Sequence, residues 1–232
     1  MWGAMLAAGA TAQAREDREP TLVEMFVSQA CKKSPPAAEY AAELSRRPDL
    51  VVLTFHVDYW NLLTSRRHGR WSDPYGAADF AARQRAYNRA IRDRGTVFTP
   101  QAIVNGAASE VGSKREGVAR YIELERREPR AARTSIRREA DRVHFTVDPS
   151  GNEARDVFLV RFTPFASTRI SAGENAGLVF EEPNVVRTLE KLGRVTHRTE
   201  TFSFAAPGPD EGCAVFVQNE GGGRVVGARY CP

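Results

Sequence analysis

Hydrophobic and polar positions change rhythm several times along this chain, and each change marks an element. Leu22 to Val27 is an apolar run broken only by Glu24, with the length and composition of a buried strand. A short polar turn follows, then Pro35 and Pro36. Proline is excluded from a helix interior but fits its first turn, so the pair marks a helix start. Ala38, Tyr40, Ala41 and Leu44 recur close to helical spacing and predict a helix over Ala37 to Arg46. Leu50 to Val57 returns to a continuous apolar run, a strand buried on both faces. Strand, helix and strand with short connections imply a right-handed crossover and parallel pairing.

Residues 62–75, rich in Arg, Gly, Ser and Pro, read as a surface loop. Gly76 to Arg94 then carries Phe80, Ala81, Tyr87, Ala90 and Ile91 along one side of a helix, with Gly95 as its C-cap. Gln101 to Val104 is a short strand. Asn105-Gly106 signals a hairpin into a partner strand near Ser109 to Val111. Ser113, with Glu116 completing a capping box, starts a helix reaching about Arg127.

Beyond Pro129 the pattern becomes short β-prone runs between Gly, Pro, Asn and Asp: Arg133 to Arg138, Arg142 to Asp148, Val157 to Thr163, Leu178 to Glu181, Thr199 to Phe204, Cys213 to Val217 and Val225 to Tyr230. This predicts an antiparallel sandwich-like or barrel-like module, interrupted by one helical segment at Val185 to Leu192. Glu128-Pro129-Arg130 is the expected hinge. The predicted organisation is a tail over 1–19, an α/β domain over 20–128 and a β domain over 129–232.

Composition changes this picture little. Hydrophobic content of 42% and charged content of 27% over 232 residues are those of a globular protein with ample core. The net charge of +4 comes from arginines interleaved with acids. No clustered basic-aromatic stretch of the kind base stacking needs accompanies them, so nucleic acid is not an expected partner. The N-terminal run of small apolar residues ends in Ala12-Gln13-Ala14 before a charged stretch, which fits the remnant of a secretion signal. It is too short to span a membrane. Export, and with it a periplasmic or secreted location, would place the cysteines in an oxidising compartment.

The chain has three cysteines. Cys213 and Cys231 are equidistant from Gly222, so a hairpin turning at Gly221-Gly222-Gly223 sets them face to face and predicts a disulfide. Cys31 is then the single unpaired thiol. It sits between the first strand and the first helix, where orphan amides and the positive dipole end stabilise an anion. Cys31-Lys32-Lys33-Ser34 carries a hydroxyl where a redox Cys-x-x-Cys motif carries its resolving cysteine. His56, at the end of the second strand, and Asp58, Tyr59 and Trp60 just after it are expected beside Cys31, because ligands bind at the carboxyl edge of parallel strands. Taken alone, His56 reads as a core histidine. Glu24, on a strand interior, needs a partner or a proton.

Strand, cysteine turn, helix, strand, helical insert, Thr-Pro, strand, hairpin and final helix is the order of a thioredoxin-like domain. In that fold a cis proline lies against the active-site cysteine, and Thr99-Pro100 holds the matching position. The blocks FVSQACKKSPPA, FHVDYWN, FAARQRAYNRA, VFTPQAIVNG and VGSKREGV resemble a bacterial secreted thioredoxin-like family, catalogued as domain of unknown function 1223. GENAG at Gly173 and NVVRTLEKLG at Asn184 resemble its C-terminal blocks. The resemblance implies an α/β thioredoxin-like domain, a mixed sheet with flanking helices, followed by an antiparallel all-β sandwich-like domain. That family usually has two cysteines in the first block, and Ser34 departs from the pattern.

Three functions follow as expectations. The first is thiol–disulfide exchange or mixed-disulfide chemistry. Cys31 is the nucleophile, Lys32 adds positive charge and Ser34 donates to the sulfur. Thr99, Pro100, His56, Asp58, Tyr59 and Trp60 contact a substrate that is a thiol-containing protein or glutathione. The second is a non-catalytic peptide-binding module. The third is a metal carrier using Cys31 and His56, although His68, His144 and His197 show no ligand spacing and no metal site is assigned. Glu174 is a further candidate functional carboxylate. No cofactor and no stable membrane insertion are expected.

Overall fold

The computed structural model describes residues 19–62 and 69–232, so the expected signal remnant and His68 lie outside the described residues. Strand β1 (Thr21–Val27) pairs in parallel with β2 (Leu50–His56), in register from Thr21 opposite Leu50 to Val27 opposite His56. Helix α1 (Pro35–Leu44) connects them, with the two prolines in its first turn as the sequence predicts. On the other side of β1 runs β3 (Gln101–Val104), antiparallel to it, followed by β4 (Ala108–Val111). Between β2 and β3 lies α2 (Ala78–Arg92), and α3 (Arg115–Arg127) follows β4.

Two helix ends differ from expectation. Helix α2 ends at Asp93, which takes the left-handed conformation at φ 52 and caps the helix two residues before the expected cap, Gly95. Helix α3 begins after Lys114 with no side-chain cap, so Ser113 and Glu116 form no capping box.

Strand alternation divides the core. Val23, Met25 and Val27 of β1 face α1 and α3, packing with Ala37, Tyr40, Leu44, Val118 and Ile122. Leu22 and Phe26 face the opposite way, toward Phe80, Ala81 and Tyr87 of α2.

The C-terminal strands are β5 (Ala132–Glu139), β6 (Arg142–Pro149), β7 (Arg155–Arg169), β8 (Val179–Val195), β9 (Glu200–Ala205), β10 (Gly212–Asn219) and β11 (Val225–Tyr230). Four of them extend the first sheet, giving eight strands in the order β11-β10-β7-β8-β2-β1-β3-β4, while β5-β6-β9 form a separate sheet. The three-stranded sheet packs face to face on the extension: Val143, Phe145 and Val147 meet Leu159, Val215, Val217 and Val226. The C-terminal half is therefore sandwich-like locally, but its larger sheet runs on into the N-terminal half.

The seam between the halves is narrow in backbone pairing. β2 and β8 are in register only at Thr54 opposite Val185. Side chains complete it: Thr54 Oγ1 donates to the Pro183 carbonyl at 2.7 Å, and Asn184 Nδ2 and the Tyr230 hydroxyl both donate to the Val52 carbonyl at 2.9 Å.

The predicted helix at Val185 to Leu192 is strand, inside β8. Two irregularities explain the misleading pattern. In the pairing with β7 the register skips Arg187, between Val186 and Thr188, and again Leu192, between Lys191 and Gly193. Each extra residue breaks the period of two, so Val186, Leu189 and Leu192 recur at a spacing that imitates a helix.

The predicted hairpin and disulfide are present. Asn105 and Gly106 both take positive φ, 46 and 62 degrees. Cys213 and Cys231 are bridged across the β10–β11 hairpin, with Cα atoms 5.3 Å apart.

Candidate functional site

The chain leaves β1 through two tight turns. Cys31 N–H donates to the Ser28 carbonyl at 3.1 Å, and Ser34 N–H donates to the Cys31 carbonyl at 3.0 Å. Cys31 thus lies three residues before the helix boundary at Ser34. The first turn of α1 offers little to an anion, because Pro35 and Pro36 carry no N–H and the amides of Ala37 and Ala38 both donate to the Ser34 carbonyl.

The Cys31 side chain is 1% exposed, and its Sγ donates to the Thr99 carbonyl at 3.6 Å. The Thr99–Pro100 peptide is cis, at the position the sequence pattern predicts. Ser34 is fully buried, and its hydroxyl accepts from the Ser28 amide at 3.2 Å. Among the described residues it makes no hydrogen bond to Cys31 Sγ; its hydroxyl closes the turn.

Cys31 lies along a groove of about 640 Å³ lined by Lys32, Lys33, Tyr59, Trp60, Trp71, Phe98 and Thr99, with Glu174 at its rim. Tyr59 and Trp60 belong to a single 3₁₀ turn, Tyr59–Leu62, after β2. The Tyr59 hydroxyl donates to Gln84 Oε1 at 3.2 Å, and burial holds its acidity below that of an ordinary phenol. Thr99 is 6% exposed, and among the described residues its buried Oγ1 has no hydrogen-bond partner. Asp58 does not line the groove; its carbonyl accepts from Asn61 N–H at 2.9 Å.

His56 lies beneath the turn, not in the groove. It is fully buried, with Nδ1 2.8 Å from Asp73 Oδ2 and Nε2 3.0 Å from Glu182 Oε1. The second contact is a charge contact rather than an aligned hydrogen bond, since neither atom meets hydrogen-bond geometry. Burial alone would favour the neutral ring, but Glu182 and Asp73 outweigh it and push the imidazole up to about 10. Burial likewise opposes the Asp73 anion, and the bond from His56 overcomes it and holds that carboxyl below its ordinary value. Both carboxylates favour the imidazolium form of His56. With Nδ1 beside Asp73 and Nε2 beside Glu182, its ring nitrogens are turned to carboxylates rather than to Cys31.

Four residues of this assembly escaped the sequence reading: Gln29, Asp73, Asn175 and Glu182. Asp73 sits in the segment expected to be a surface loop, yet it is only 3% exposed. Its burial follows from its bonds to His56 and to the Gln29 amide. Asn175 and Glu182 come from the β7–β8 hairpin, whose far end continues past β2 and folds over α1, where Ile170 and Phe180 pack on Ala38 beside Trp71. Its tip places Asn175 Nδ2 against the carbonyls of Gln29 and Cys31, at 2.8 and 3.1 Å. The FVSQACKKSPPA block, which holds Gln29, and the GENAG block, which holds Asn175, are the visible signals.

Glu24 is resolved as well. It is fully buried and accepts from Arg83 Nε at 2.6 Å and from the Tyr87 hydroxyl. Its partner lies on α2, away from the cysteine turn.

Fold and site together define a mixed α/β protein with an unpaired, buried cysteine at a strand–turn–helix junction, clamped by a hairpin from the C-terminal half. The chain belongs to the family described as protein of unknown function DUF1223, which matches residues 22–218. It is similar to the crystal structure of a protein from Agrobacterium tumefaciens, a target of the Northeast Structural Genomics Consortium. That protein is 28% identical, with 92% of this chain and 94% of that one covered and a TM-score of 0.77. No curated protein matches.

Proposed function

We propose that the N-terminal half is a thioredoxin-like domain and that the protein carries out monothiol exchange at Cys31. The fold reading is supported by the order β2-β1-β3-β4, with β1 and β2 parallel, β3 and β4 antiparallel, and α1, α2 and α3 between and after them. The observation that carries the chemistry is the placement of Cys31 Sγ against the Thr99 carbonyl, along a groove lined by Lys32, Tyr59, Trp60 and Thr99.

In the exchange, Cys31 sulfur attacks one sulfur of a substrate disulfide. The substrate S–S bond breaks, a Cys31–substrate disulfide forms, and the other sulfur departs and takes up the proton Cys31 gave. A second thiol, from glutathione or a protein, then attacks the substrate sulfur of the mixed disulfide: the Cys31–substrate bond breaks, a new disulfide joins the second thiol to the substrate, and Cys31 leaves with the proton that thiol gave. No net oxidation occurs, as Ser34 in place of a resolving cysteine requires. Lys32 stands at the groove rim where an incoming anionic chain would pass. The Cys213–Cys231 bridge supports an oxidising, periplasmic or secreted setting.

The near-complete burial of Cys31 favours a second reading, a groove that holds a peptide without chemistry. Incubating the protein with a peptide disulfide and weighing the intact product separates the two. Thiol exchange gives a Cys31 adduct that added glutathione removes and that Cys31→Ala lacks. Peptide binding with no adduct would establish the second reading.

A further inference from the structure

The residues under the cysteine turn are connected in a way that exchange at Cys31 does not itself require. His56 is held on both sides by carboxylates, and each of those carboxylates also holds Gln29. Asp73 Oδ2 accepts from His56 Nδ1 at 2.8 Å and from the Gln29 backbone amide at 2.7 Å. Glu182 has Oε1 at His56 Nε2, 3.0 Å away, and its Oε2 accepts from Gln29 Nε2 at 3.2 Å. Gln29 stands two residues before Cys31 and is fully buried. Its remaining atoms face the groove side: Gln29 Oε1 accepts from the groove-lining Trp71 Nε1 at 3.3 Å, and Asn175 ties the Gln29 carbonyl to that of Cys31.

We propose that His56 is a positioning residue for Cys31, acting through Asp73, Glu182 and Gln29 to hold the cysteine turn closed against Thr99. The inference rests on Cys31 being the working thiol. His56, Asp73 and Glu182 are all fully buried at their side chains, so the two carboxylates have no water to share their charge. The imidazolium is the cation between them. Around it stand Asp73 and Tyr75 from the loop before α2, the Tyr75 ring 5.3 Å away, and Glu182 from β8. Removing the cation leaves two like charges in a dry site, both bonded to one glutamine. They separate or take a proton, and either response withdraws bonds from Gln29. Four remote segments meet here, so the lock forms only when the β7–β8 hairpin is docked. The C-terminal half thereby sets how accessible Cys31 is.

The test is the native-state rate of Cys31 alkylation by iodoacetamide in the full-length protein, far from its unfolding transition. His56→Gln is expected to raise that rate about tenfold or more, through local opening of the turn. The charge-balanced double variant His56→Gln with Glu182→Gln is expected to return it to near the wild-type rate, which a merely structural loss would not do. Should His56→Gln fail to fold, Glu182→Met, which removes the acceptor of Gln29 Nε2 and one of the two anions of His56, serves as the deciding variant, again with a raised rate expected. A folded His56→Gln or Glu182→Met protein with an unchanged rate overturns the proposal, as does a double variant as fast as His56→Gln. Iodoacetamide needs no physiological substrate, so the absence of any peptide adduct would remove the exchange reaction while leaving this comparison intact.

Discussion

Replacing Glu24 with leucine would strand the Arg83 guanidinium without its anion. Arg83 Nε and Nη2 donate to the two Glu24 oxygens at 2.6 and 3.2 Å, and Nη2 also donates to Gln218 Oε1 at 3.3 Å. The Glu24 side chain is fully buried and that of Arg83 is 11% exposed. The guanidinium carbon lies 4.8 Å from the Tyr87 ring centre, 5.1 Å from Phe216 and 5.7 Å from Phe158, so α2, β7 and β10 all close on it. Removing one member of such a pair costs about 3–5 kcal/mol, most of it the desolvation of the charge left behind. Arg83→Met should fall toward the low end, because the Tyr87 hydroxyl still donates to Glu24. The double variant should lose at least about 2 kcal/mol less than the sum of the singles, since it buries no orphan charge. Urea unfolding followed by tryptophan fluorescence reads this directly. With a slope of about 3 kcal/mol per molar, Glu24→Leu should lower the midpoint by more than about 1 M. A shift below about 0.3 M, or strict additivity in the double variant, would refute the view that this pair ties the N-terminal sheet to the C-terminal strands.

Three further outcomes are expected. His56 is pushed up to about 10 from an ordinary 6.5 by Glu182 and Asp73 against the effect of burial, so its contribution is complete below pH 6.5 and lost as pH rises toward 10. Wild type should lose on the order of 5 kcal/mol relative to His56→Gln across that window, and a constant difference in urea stability would contradict it. Breaking the Cys213–Cys231 bridge, which spans 18 residues, by the double Cys→Ser change should cost about 3 kcal/mol, read as a lowered Tm; an unchanged Tm would count against a stabilising bridge. Gly173 sits at φ 78 with Trp71 Cβ 2.9 Å from where its own Cβ would lie, so Gly173→Ala should lift the hairpin tip and speed Cys31 alkylation. A rate equal to wild type would show that the tip does not cover the thiol.

The sequence alone determined the elements whose signals are local. An apolar run makes β1, paired prolines start α1, Asn105-Gly106 turns the hairpin after β3, and symmetric spacing about Gly222 faces Cys213 to Cys231. Each depends on residues close together in the chain, where backbone preference and periodicity act directly. Tertiary structure decided what depends on distant partners. The bulges at Arg187 and Leu192 exist only through pairing with β7, and without that pairing the same residues read as a helix. Asp73 is buried because His56 and Gln29 need its oxygens, although its neighbours are those of a surface loop. The cationic form of His56 is favoured because residues 17 and 126 positions further along the chain bring carboxylates to both ring nitrogens. A charge can stay in a dry interior only where the fold supplies its counter-charge, and no local pattern records where that partner will come from.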